Sequence, residues 1–216
     1  MRVVIAGGHG KIALILERLL ADRGDSVAGL IRNPDHTADV KAAGAEPIVL
    51  DLEKATVDEV AGAVRGADAV VFAAGAGPGS GAARKQTVDR DAAILLADAA
   101  EAAGVDRYVM VSALAADDRS LDESYDEVFR VYMQAKSEAD ANVRARSGLR
   151  TTIVRPGGLT NDAGTGLVRI AESTGRGTVP REDVARVLVA VLDAPQTAGR
   201  TFELISGDTP IADALV

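Results

Sequence analysis

The chain has no cysteine and only two histidines, His9 and His36. The first absence excludes a disulfide framework and any thiolate metal site, and two imidazoles are too few for a histidine-based one. No long charge-free apolar run suggests a membrane span, and no basic start followed by an apolar stretch suggests export, so a cytoplasmic, metal-free protein is expected. Cations are also in deficit. The 24 Lys and Arg against 32 Asp and Glu leave a formal charge of −8, which opposes nucleic-acid binding through a broad phosphate-neutralising surface. An anionic ligand would need a local cluster of cations. What is present is 216 residues, 47% of them apolar, enough for one large domain, residues 1–216, with a substantial core.

Strand-like runs at 2–6, 26–31, 46–50, 68–73, 106–111 and 150–155 alternate with helix-like segments near 11–23, 36–43, 56–64, 84–103 and 125–147. This alternation predicts an α/β fold, a Rossmann-like, doubly wound parallel sheet covered on both faces. After residue 156 a Gly/Thr-rich stretch precedes a helix opened by Pro180 and a strand near 201–205. This part is expected to form a small C-terminal cap on the substrate side of the sheet's carboxyl edge, where ligands bind in open α/β sheets. The alanine-rich stretch 92–103 could pack against a second copy, giving a homodimer, or against its own sheet.

The run Val3-Val4-Ile5-Ala6-Gly7-Gly8-His9-Gly10-Lys11-Ile12-Ala13 joins a buried strand to a helix through glycines. Gly7 permits a sharp turn, Gly8 and Gly10 carry no side chain to hold a phosphate off the backbone, and Ala13 lets helix and strand lie close. The backbone of Gly7, Gly8, His9, Gly10, Lys11 and Ile12 is the expected seat of a dinucleotide pyrophosphate. A P-loop is ruled out, because Ile5 and Ile12 stand where that motif needs glycine and a hydroxyl. At the end of the second strand, where an NAD site usually has Asp or Glu, stands Arg32, which favours NADP(H) through its 2′-phosphate. No carboxylate is expected to oppose it there. Asp51 and Leu52 end the third strand and could meet adenine, or Asp51 could cap the next helix. The Ala73, Ala74 and Gly75 backbone, opening a glycine-rich loop, could approach the cofactor's central ribose and phosphates or form part of a lid.

Ser112 follows the fifth strand, while Tyr132 and Lys136 are four apart on one face of the next helix. A lysine beside a phenol stabilises phenolate. In a carbonyl reduction Tyr132 would protonate the oxygen, Ser112 would orient it, and Lys136 would tune the tyrosine and hold the nicotinamide ribose. Tyr108 and Tyr125 lack a lysine four residues on. The acidic segment 116–123 reads as a solvated loop or a substrate gate.

Gly7/Gly10/Ala13, Asp51-Leu52, Tyr132/Lys136, Arg155-Pro156-Gly157-Gly158-Leu159, Val179–Ala185 and Ser206–Ile211 together resemble the compact, atypical NAD(P)-binding branch of the short-chain dehydrogenase/reductase superfamily. The resemblance implies NADP binding, a Ser-Tyr-Lys active site, and a segment after Arg155, with Pro156 and Gly157, that closes over the nicotinamide. It departs from the superfamily at Asp89, where many reductases have an asparagine that donates hydrogen bonds as a carboxylate cannot. The expected activity is NADPH-dependent reduction of a small carbonyl or quinone-like substrate. A non-catalytic NADP(H) redox sensor and an NAD(P)-dependent epimerase or dehydratase are the alternatives.

Overall fold

The computed structural model describes residues 1–77, 79–117 and 125–215. Five βα steps build the first part: β1 (Arg2–Ala6), α1 (Lys11–Asp22), β2 (Ser26–Ile31), α2 (Thr37–Ala42), β3 (Glu46–Val49), α3 (Val57–Val64), β4 (Ala69–Phe72), α4 (Gly81–Arg84), α5 (Ala92–Ala103), β5 (Arg107–Val111) and α6 (Glu127–Arg144). β1, β2, β4 and β5 are buried on both faces, as strands covered by helices on both sides must be, while the edge strand β3 is partly exposed. The rest comprises β6 (Arg150–Pro156), β7 (Gly158–Thr160), β8 (Leu167–Ala171), β9 (Thr178–Pro180), α7 (Arg181–Asp193), β10 (Thr201–Ser206), β11 (Thr209–Pro210) and α8 (Ile211–Ala214).

The main sheet runs β11-β8-β10-β6-β5-β4-β1-β2-β3. β3 through β6 and β10 are parallel, and β8 joins β10 antiparallel. Strand order reverses between β1 and β4, which opens a crevice at their carboxyl ends. Two apolar layers fill the two faces. One packs α1 and α7 on the sheet through Leu16, Leu20, Val187 and Leu188; the other packs α3, α5 and α6 through Val60, Leu96, Ala100 and Val143.

Much of the chain after residue 156 is therefore sheet: β8, β10 and β11 lengthen it, α7 covers one face, and only the β7–β9 pair forms a separate ribbon. β10 is the strand expected near 201–205, whereas the short β7, β9 and β11 carry too few alternating apolar residues to be read from pattern. Ala92, Ala93, Ala97, Ala99 and Ala100 of α5 are buried within the chain, where α5 packs on α3 and the sheet, while Ala102 is exposed. The segment expected as one helix over 84–103 is interrupted. A π-helical stretch, Lys85–Asp91, lies between α4 and α5 and turns Lys85, Val88 and Asp89 inward. Such wide turns recur at functional sites.

Candidate functional site

Beyond the ends of β1, β2, β3 and β4 lies a cavity of ≈ 260 Å3, lined among others by Gly7, His9, Gly10, Arg32, Asp51, Leu52, Ala73, Ala74, Gly75 and Arg84. Gly7 (φ +83°) turns the chain off β1, and a Cβ on it would stand 2.6 Å from Ala74 Cα. A Cβ on Gly8 would stand 2.7 Å from Gly29 Cα. That glycine is required by packing against β2 and does not line the cavity, contrary to the expectation that its missing side chain clears room for a phosphate. Gly10 caps α1 without a side-chain hydrogen bond, and the first turn holds no acidic residue. Amides left uncapped at a helix start, aimed at a crevice, suit an anion, so the loop fits a pyrophosphate.

Lys11 and Ile12 begin α1 away from the cavity lining. The Lys11 Nζ donates to Asn161 Oδ1 at 3.4 Å, and the Ile12 side chain is buried in the core. His9 stacks on His36 with ring centroids 3.5 Å apart, and its Nε2 lies 2.8 Å from Asp39 Oδ2. The two histidines of the chain thus form one wall of the cavity.

Arg32 meets a carboxylate after all. Its Nη1 donates to Glu53 Oε2 at 2.8 Å, and the same oxygen accepts from Arg84 Nη2 at 2.8 Å, while Thr87 Oγ1 donates to Oε1 at 2.7 Å. Arg84 above all, with Thr87 and Arg32, holds the Glu53 carboxyl down to about 2. Glu53 and Arg84 were missed from sequence because they follow β3 and β4, and only the folded sheet brings them to the end of β2. Asp51, besides lining the cavity, accepts from Glu53 N at 3.2 Å.

Ser112, Tyr132 and Lys136 converge at the carboxyl end of β5. Lys136 is buried and donates from Nζ to Val111 O at 3.3 Å, and it stands 5.9 Å from the Tyr132 ring centroid. A second ammonium, Lys85, lies 5.2 Å from the same ring and donates to Gly77 O at 2.8 Å. Asp89, also buried, pairs with Lys136 Nζ at 3.3 Å and accepts from Ala76 N at 3.2 Å. Burial drives the Tyr132 phenol upward and Lys136 pulls it back, while Asp89 pushes it up again, for a net rise. Lys136 is itself raised, because Tyr132, Asp89 and Asp140 outweigh the cost of burying its charge.

The Ser112 hydroxyl is buried beside the Asp140 carboxyl, which burial pushes up and Ser112, with Arg155, pulls back down. Three residues on, Ala115 adopts φ +59°, the one non-glycine with positive φ among the described residues, and its N–H is held by Glu203 Oε1 at 3.0 Å. A residue kept in a sparsely populated conformation beside a candidate site is typical of a constrained active-site loop. Of the acidic segment, residues 118–123 lie outside the described residues. Asp117 is paired, with Arg155 at 2.8 Å and Arg144 at 3.3 Å. Pro156 ends β6, and a Cβ on Gly157 would stand 2.4 Å from Gly177 O, so the chain there passes against the loop before β9.

A Rossmann-like sheet with an uncapped glycine-rich turn at its switch point defines a nicotinamide-dinucleotide-binding protein. The comparisons agree: residues 7–195 match the family described as NAD(P)H-binding, and the chain belongs to it. It is 42% identical over its whole length, and 99% of the other, to the Bacillus subtilis protein "Uncharacterized sugar epimerase YhfK". Among solved structures it resembles a "Putative NAD-dependent epimerase/dehydratase" from Bacillus halodurans (36% identity, all of this chain and 98% of that one, TM-score 0.90). It also resembles the oxidoreductase ylbE from Lactococcus lactis (25% identity, all of this chain and 95% of that one, TM-score 0.88). Among the described residues no helix is long and apolar enough to cross a membrane.

Proposed function

We propose that the protein is an NADPH-dependent reductase of a small carbonyl or quinone-like substrate. The observation that carries this reading is the approach of Tyr132 and the buried Lys136 to the end of β5, where the buried Ser112 follows. When bound, the dinucleotide supplies hydride from its nicotinamide. The chain supplies the rest. Ser112 Oγ donates a hydrogen bond that orients the substrate oxygen. Tyr132 gives that oxygen its proton, so that hydride plus proton reduce the carbonyl to an alcohol. Lys136 keeps the phenol from rising further and holds ribose hydroxyls, and Asp89 holds Lys136.

The NADP preference rests on Arg32 and Arg84, which share one carboxylate oxygen as they could share a 2′-phosphate. The residues after 156, with Pro156 and Gly157 at their start, are read as the substrate side of the cleft.

The test is NADPH oxidation against a panel of carbonyls and quinones. Tyr132→Phe should lower kcat at least about 100-fold with NADPH affinity unchanged. Undiminished turnover by Tyr132→Phe would remove Tyr132 from the mechanism. NADPH binding with no turnover of any panel member would favour the sensor reading.

A further inference from the structure

Three of the six aromatic side chains, Phe72, Tyr108 and Phe202, are buried in the core, and the chain has no tryptophan. The other three form a row. Tyr125, just before α6, stacks with Phe129 (centroids 5.9 Å apart, planes 22° apart), and Phe129 lies 6.3 Å from Tyr132. Every aromatic ring not spent on the core therefore leads away from the candidate acid. Phe129 is 42% exposed, an unfavourable disposition for a side chain that gains most by leaving water.

Both ends of the row carry cations. Lys85 sits over Tyr132 at 5.2 Å, and at the outer end Arg176, from the segment between β8 and β9, donates from Nη2 to Tyr125 Oη at 3.5 Å. Neither cation has a carboxylate partner among the described residues, although carboxylates outnumber cations in the chain. Arg176 precedes Gly177, whose carbonyl accepts from Gly158 N at 2.9 Å. The guanidinium thus belongs to the same strip of chain that follows β6, and it meets the outer end of a row whose other two rings stand on α6.

We propose that this row is the substrate platform and that the substrate is a planar, conjugated molecule bearing a carboxylate. Its ring system stacks on Phe129 and Tyr125, its reducible end reaches Tyr132, and its carboxylate pairs with Arg176. A planar ring system matches a row of aromatic faces, and a guanidinium with no carboxylate partner among the described residues matches a carboxylate. The proposal deepens the reductase reading and rests on it, but its test reads binding alone.

The experiment is calorimetric titration of the NADP+-loaded protein with anthraquinone-2-carboxylate and with uncharged 2-(hydroxymethyl)anthraquinone. The carboxylate should bind more tightly. Phe129→Ser should weaken both probes, each by roughly tenfold. Arg176→Gln should weaken only the carboxylate, to the level of the neutral probe. Both side chains are exposed, so melting temperature and NADP+ affinity should hold in both variants. Binding of neither probe, or Phe129→Ser binding both as wild type does, overturns the platform. Equal effects of Arg176→Gln on the two probes overturn the assignment of an anionic substrate. Failure of the reductase reading would show elsewhere, as absent NADP+ binding or an unimpaired Tyr132→Phe enzyme.

Discussion

Glu17 lies in α1 beneath the glycine-rich turn, fully buried, with neither carboxyl oxygen hydrogen-bonded among the described residues. Its Oε1 would be 2.4 Å from a Cβ on Gly29 and 3.0 Å from one on Gly8, so the carboxyl fills the space those glycines leave. Burial pushes its pKa up to about 8 from 4.5. An acid raised on folding favours the native state most below its unfolded pKa, and that advantage drains away as pH climbs through 4.5 to about 8. Glu17→Met, which keeps the volume without the charge, should change little at pH 4 and gain about 3 kcal/mol at pH 8, read by urea unfolding at the two pH values. A gain of the same size at both would mean that ionisation is not what Glu17 costs. Sequence reading saw an amphipathic helix and passed over Glu17, since one polar residue within an apolar stripe gives no local sign that it is buried. Ser112, Tyr132 and Lys136 were legible because serine after a strand and residues four apart on a helix have fixed placement. Asp89 was noticed as a departure, but its pairing with Lys136 is a tertiary contact and had to be seen.

At the scale of elements, β1, the glycine turn and α1 were the most legible part, because apolar run, glycines and helical stripe fall in uninterrupted order. The structure divides the labour among those glycines. Gly7→Ala places a side chain at φ +83° and 2.6 Å from Ala74 Cα. It should cost more than about 2 kcal/mol of stability by thermal melting. Gly10 has ordinary extended backbone, and its Cβ would crowd Gly7 O at 3.1 Å, with Ala73 O and Ala13 Cβ at ordinary contact distances of 3.6 and 3.9 Å. Gly10→Ala should therefore lose about 1 kcal/mol at most, with a larger effect on NADPH affinity than on melting. Helix α3 serves as a contrast, since Thr56 and Glu59 form a reciprocal capping box remote from chemistry. Thr56→Ala should lose about 1 kcal/mol with NADPH affinity intact. The π-helical turn at Lys85–Asp91 was not legible, because apolar spacing does not distinguish it from continuous helix, yet it aims Lys85 and Asp89 at Tyr132 and Lys136.

Across the whole molecule, the parallel order of the first six strands followed from the βα alternation, and of the three strands added beyond β6 only β10 was legible, near 201–205. Arg107 ties the two parts together. Buried without a carboxylate, it donates to Arg150 O and Thr152 Oγ1 on β6, and to Val191 O and Thr197 Oγ1 at the end of α7 and beyond. Arg107→Met should strand those acceptors and lower stability by about 3 kcal/mol, read as a fall in Tm of roughly 10 °C. The proposed NADP preference rests on equally distant parts of the chain, Arg32 after β2, Glu53 after β3 and Arg84 in α4, which meet at the crevice. The most direct measurement is titration of the protein with NADPH and NADH, in wild type, Arg32→Ala and Glu53→Gln. The account predicts tighter binding of NADPH, a preference reduced about 10- to 100-fold by Arg32→Ala and increased by Glu53→Gln, which frees both guanidiniums. Tighter binding of NADH that Glu53→Gln abolishes would contradict it and make Glu53 the acceptor of a ribose hydroxyl. Binding of neither would leave the glycine turn as architecture alone.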